Sequence, residues 1–106
     1  MPLKDYTAAP YFAITTLGYG KGFTPEEAIE NYVKTQLRNI SHEHTIFNTK
    51  KEWETALRSG DAKPQVWKCP EGWTGFLLAF DGLSWKRETD GKTEYRKARI
   101  EELVVR

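Results

Sequence analysis

The chain has 106 residues, with 16 basic side chains against 15 acidic ones and a net charge of +1. That length supports one hydrophobic core and no second one, so residues 1–106 read as a single domain opened by an irregular lead-in over 1–10. Balanced charge excludes a global field of the kind that draws nucleic acid or acidic lipid, so any electrostatic partner has to be sought in local clusters. The single cysteine, Cys69, excludes an internal disulfide and fits a reducing compartment. Ala8 to Leu17 is interrupted by Pro10, follows Asp5 and is too short to cross a bilayer, so the expected location is cytoplasmic, away from any membrane.

Tyr11 to Leu17 is rich in aromatic and β-branched residues and reads as a first strand. Gly18-Tyr19-Gly20-Lys21-Gly22 then reads as a flexible connection; it has no Lys-Ser/Thr ending and matches only half of a dinucleotide fingerprint. Thr24-Pro25-Glu26-Glu27 supplies an N-cap hydroxyl, a proline at the first helical position and a glutamate placed to reach back. Phe23 and Ala28 are spaced as a hydrophobic staple. Ala28, Ile29, Tyr32, Val33, Leu37 and Ile40 recur at spacings of one, three and four, which predicts an amphipathic helix needing a flat apolar surface beneath it.

Thr45 to Phe47 is a short strand candidate. Thr49 and Glu52 repeat the capping pattern before a small apolar face of Trp53, Ala56 and Leu57, and Gly60 ends this second, shorter helix. From Gln65 the texture becomes β, with strands expected over Gln65 to Cys69, Gly75 to Phe80 and Leu83 to Glu88. Asp81-Gly82 as a two-residue turn would pair Phe80 with Leu83, Leu78 with Trp85 and Phe76 with Arg87 on one apolar face, where the long helix should lie. Asp90-Gly91 would pair Lys86 with Tyr95 and Glu88 with Thr93. Residues 98–106 are balanced between strand and helix. The expected architecture is α+β: a two-layer sandwich in the order β-α-(short α)-β-β-β, an antiparallel meander with the long helix packed on one sheet face.

Three constellations carry possible chemistry. His42 and His44, with Cys69 or Asp81 as a distant third ligand, make an incomplete metal set, so no metal or cofactor is expected. Cys69 with either histidine would form a nucleophile and base only if the fold joined them; the alternative is a small apolar side chain, and the chain is read as non-enzymatic. The third lies on the meander. Leu77, Ala79, Lys86, Tyr95 and Lys97 share the face turned away from the helix, and Trp73 between glycines is either folded onto the core or held out as an anchor.

The function expected from this is a small interaction module that binds a protein partner through Trp73, Leu77, Lys86, Tyr95 and Lys97. It would act by occlusion, as inhibitors, antitoxins and phage accessory or anti-defence proteins do. The alternative is a weak RNA- or DNA-binding domain using Lys86, Arg87, Tyr95, Arg96, Lys97 and Arg99, since aromatics among basic groups on a sheet stack and clamp single strands. From Trp85 to Arg99 six basic residues face three acidic ones. A solvated sheet face with pairs such as Arg87 and Glu94 explains the same charges. Both monomer and homodimer fit the sequence.

Overall fold

The computed structural model describes residues 4–39 and 50–106. His42, Glu43, His44, the strand candidate over Thr45 to Phe47, Ile40 and the cap Thr49 lie outside them. Strands β1 (Tyr11–Thr15), β2 (Gly18–Gly22), β3 (Gln65–Lys68) and β7 (Leu103–Val105) form one antiparallel sheet in the order β2-β1-β3-β7. Strands β4 (Gly75–Ala79), β5 (Gly82–Thr89) and β6 (Lys92–Lys97) form a second antiparallel sheet in sequence order. Helices α1 (Pro25–Asn39) and α2 (Lys50–Ser59) complete the α+β chain, with the long helix packed on one sheet face as expected.

The sheet beneath the helix differs from the expected one. Helix α1 lies on the sheet built around β1, and the reason is the glycine-rich run, which is strand β2. Its glycines alternate with Tyr19 and Lys21 at the period of a strand, so one face is bare backbone. A Cβ on Gly20 would stand 2.2 Å from the Tyr32 backbone nitrogen, and one on Gly22 2.3 Å from that of Ala28. Those positions are glycine because the helix backbone touches them. Asn31 Nδ2 donates to the Lys21 carbonyl at 2.6 Å, and the buried Tyr32 hydroxyl donates to the Ala62 carbonyl at 2.7 Å.

The capping signal at the helix start is borne out. The Glu27 N–H donates to Thr24 Oγ1 at 3.0 Å, and Glu27 Oε1 accepts from the Phe23 N–H at 2.7 Å. Ala28 is buried and Phe23, before the cap, is 40% exposed. The Phe23 ring faces the Tyr6 ring at 5.9 Å, with the Lys4 ammonium 5.1 Å from its own centroid. Helix α2 buries Ala56 and Leu57, and Gly60 ends it by donating to the Ala56 carbonyl. Arg58 binds Glu30 of α1 as well as Glu54 of its own helix.

Strand β1 is buried on both sides, and alternation divides its residues between two clusters. Tyr11 and Ala13 join Ala28, Tyr32, Val33, Leu57 and Val66 under α1. Phe12 and Ile14 join Leu83 and Trp85 of the second sheet. The meander therefore covers the other face of the β1 sheet, and its inner residues meet Phe12 rather than the helix. Phe12 lies 5.5 Å from Phe76 and 5.9 Å from Trp85, and Tyr19 lies 5.1 Å from Phe76, ring centre to ring centre.

The second hairpin pairs as expected, Lys86 with Tyr95 and Glu88 with Thr93, and Asp90 and Gly91 both have positive φ. The first is shifted. Its turn residues are Phe80 and Asp81, so Ala79 pairs with Gly82, Leu78 with Leu83 and Phe76 with Trp85. Only Gly82 takes positive φ there, at 121°, so Asp81-Gly82 is not the mirror-image turn that Asp90-Gly91 makes. The shift is two positions, which leaves every side chain on its expected face. Residues 98–106 hold both elements between which the sequence was balanced, a 3-10 turn at Ile100–Glu102 and then β7 paired with β3.

Candidate interaction surface

The outer face of the second sheet is built by pairing alone. Leu77 opposes Ser84, which opposes Lys97; Gly75 opposes Lys86, which opposes Tyr95. Leu77, Ala79, Lys86, Tyr95 and Lys97 thus share one face, and among the described residues no element covers it. Leu77 is 48% exposed and Tyr95 55%. Lys97 Nζ lies 2.6 Å from Asp81 Oδ2, a contact that holds the Asp81 carboxyl below its ordinary value, and Lys86 lies 3.6 Å from Glu88.

Trp73 belongs elsewhere. It is half-buried against the cluster between the sheets, its carbonyl accepts from Cys69 Sγ at 3.0 Å, and the guanidinium groups of Arg87 and Arg96 lie 4.5 and 5.7 Å from its ring. The turn around Gly72, with φ of 89°, brings Trp73 back onto the inner side. It does not join Leu77 and Tyr95.

The basic residues split the same way. Arg87 and Arg96 sit with Trp73, Arg87 paired with Glu94 at 3.0 Å and Arg96 with Glu102 at 2.7 Å. Four of the six residues in the nucleic-acid reading, Lys86, Arg87, Arg96 and Lys97, have an acidic neighbour. The outer face itself keeps Lys86, Lys97 and Tyr95.

Glu102 is a latch that the sequence reading missed. Its carboxylate accepts from Trp85 Nε1 at 2.9 Å, from Arg96 at 2.7 Å and from the Arg99 N–H at 2.7 Å. Burial pushes its pKa up, but the Arg96, Arg99 and Trp85 hydrogen bonds outweigh burial and hold it below the ordinary glutamate value. Cys69 goes the other way: burial, reinforced by the Glu102 charge, pushes its thiol up to about 11. The neutral thiol is a poor nucleophile. Cys69, Phe12, Lys21, Trp73 and Glu102 line an open cleft of about 750 Å³. Among the described residues no three His, Cys, Asp or Glu side chains gather as a metal set.

The sequence reading also hid Leu78 and Phe80 under the helix. Burial instead falls along the inner side of the first hairpin: Trp85 is buried, Phe76 half-buried, Leu78 42% exposed and Phe80 fully exposed at the tip. No helix among the described residues is long and apolar enough to cross a membrane. No protein-family model, curated protein or solved structure matches the chain.

Proposed function

We propose that this protein is a small non-enzymatic module that binds a protein partner through the outer face of the β4-β5-β6 sheet and acts by occlusion. The observation that carries the reading is the pair Leu77 and Tyr95, large apolar side chains half in water on a sheet whose other face packs against the β1 sheet through Phe76, Leu83 and Trp85. An exposed apolar patch rimmed by polar residues is the usual mark of a contact site. Lys86 stands between Leu77 and Tyr95 on the central strand and Lys97 beside Tyr95 on β6, and their partners Glu88 and Asp81 are exposed carboxylates that an acidic partner displaces at little cost. Trp73, packed inward, supports the sheet from behind. The raised thiol of Cys69 favours this reading over thiol chemistry. The nucleic-acid alternative loses support from the local pairing of Arg87 and Arg96. The test is affinity capture with and without nuclease, using the native protein and Tyr95→Ala. A partner retained after nuclease and lost with Tyr95→Ala is expected; capture abolished by nuclease supports the nucleic-acid alternative instead.

A further inference from the structure

Among the described residues the two sheets end in four unpaired edges, β2, β7, β4 and β6, and natural proteins guard such edges with charge, irregularity or brevity. Strand β6 carries Lys92, Glu94, Arg96 and Lys97. Strand β7 is three residues long, and β2 holds three glycines and Lys21. Strand β4 has none of these devices. From Thr74 to Phe80 the chain is Thr-Gly-Phe-Leu-Leu-Ala-Phe, without a charge or a proline, and Leu77, Leu78 and Phe80 are exposed. Among the described residues nothing pairs with its outer edge.

We propose that β4 pairs antiparallel, edge to edge, with β4 of a second copy, joining two three-stranded sheets into one of six strands. A free edge presents alternating N–H and C=O groups, so its occupant is an extended strand. The second copy supplies one whose chemistry matches. A two-fold axis sets each residue opposite itself or a near neighbour, so a charge in mid-strand would meet its own copy; β4 has no charge to repel.

Symmetry also limits the register. An axis normal to the sheet keeps both outer faces on one side, and only registers centred on a residue keep like faces opposed. Centring on Leu77, the middle of β4, sets Leu77 opposite Leu77, Phe76 opposite Leu78 and Gly75 opposite Ala79 of the second copy. The dimer then carries two sets of Leu77, Lys86, Tyr95 and Lys97 on one continuous face. The pairing stands independently of what that face binds.

Pairing of five-residue strands buries a modest area, so sedimentation equilibrium should include protein at about 200 μM, where weak self-association is visible. The native chain is expected to reach the mass of a dimer and stop there. Leu77→Lys should weaken the association about tenfold or more, because it sets two like charges face to face. Leu77→Cys should form a disulfide-linked dimer on mild oxidation, since directly opposed residues bring their Cβ atoms within bonding reach. Thr93→Cys, exposed on β6, should not. A monomer at every concentration, an open-ended polymer, a dimer indifferent to Leu77→Lys or a dimer that Leu77→Cys fails to cross-link overturns the proposal. A monomeric result leaves the Tyr95 capture experiment untouched, so the two readings fail separately.

Discussion

Thr24 fixes the start of α1 through one hydrogen bond, and the length of that bond, 3.0 Å, makes it a full cap. Thr24→Ala is expected to cost about 1 kcal/mol, read as a shift of midpoint in a urea melt with the slope unchanged. Gly20 is less forgiving. Its missing Cβ would sit against the backbone of Tyr32, so Gly20→Ala must push the helix off the sheet and should cost upwards of about 2 kcal/mol in the same melt. At Glu102 the folded carboxyl titrates lower than the unfolded one. The stability it contributes is therefore present above the ordinary glutamate value of 4.5 and is lost as pH falls through the folded value. Thermal melts between pH 7 and 3 should show Glu102→Gln removing part of the acid dependence, the rest belonging to carboxylates such as Asp5, Glu27 and Asp81, which are lowered too. Burial and a protonated thiol make Cys69 slow to alkylate at neutral pH in the folded chain and fast in denaturant.

Elements were legible from the sequence where their causes are local. The start of α1 is written in four consecutive residues, and the second hairpin in Asp90-Gly91, whose two positive φ values suit Asp and Gly. The glycine-rich strand β2 was legible only in part. Its period of two is visible in the sequence, but the reason for it is a helix backbone that arrives later in the chain. Which sheet the helix covers follows from the same run: read as a flexible connection it gives no sheet for α1 to lie on, whereas as strand β2 its bare glycine face is the surface the helix backbone touches. The first hairpin was misread at Asp81-Gly82, where a two-position slip that preserves both faces costs no burial pattern and so leaves no trace in alternation. The slip and the new layer change what Leu78 does. Expected under a helix, it is 42% exposed, so Leu78→Ala should cost about 1 kcal/mol or less, whereas Trp85→Ala, from the centre of the inter-sheet cluster, should cost about 3–5 kcal/mol.

At the scale of the whole molecule, charge balance and layer order act together. The near-neutral chain spends most of the basic residues of its last hairpin on Glu88, Glu94, Glu102 and Asp81, which is why a local excess legible in the sequence does not become a basic field. Layer order decides which rings are structural. Trp73 packs between Arg87 and the inter-sheet cluster, and Tyr95 stands on the uncovered side. The most direct measurement of that division is the thermal midpoint of Tyr95→Ala and Trp73→Ala beside the native chain, at a scale where 1 kcal/mol moves a domain of this size by roughly 4–8 °C. Tyr95→Ala should leave the midpoint within error of native, and Trp73→Ala should lower it by several degrees. A Tyr95→Ala chain that melts several degrees early would place that ring in a core and contradict the uncovered face on which the account rests.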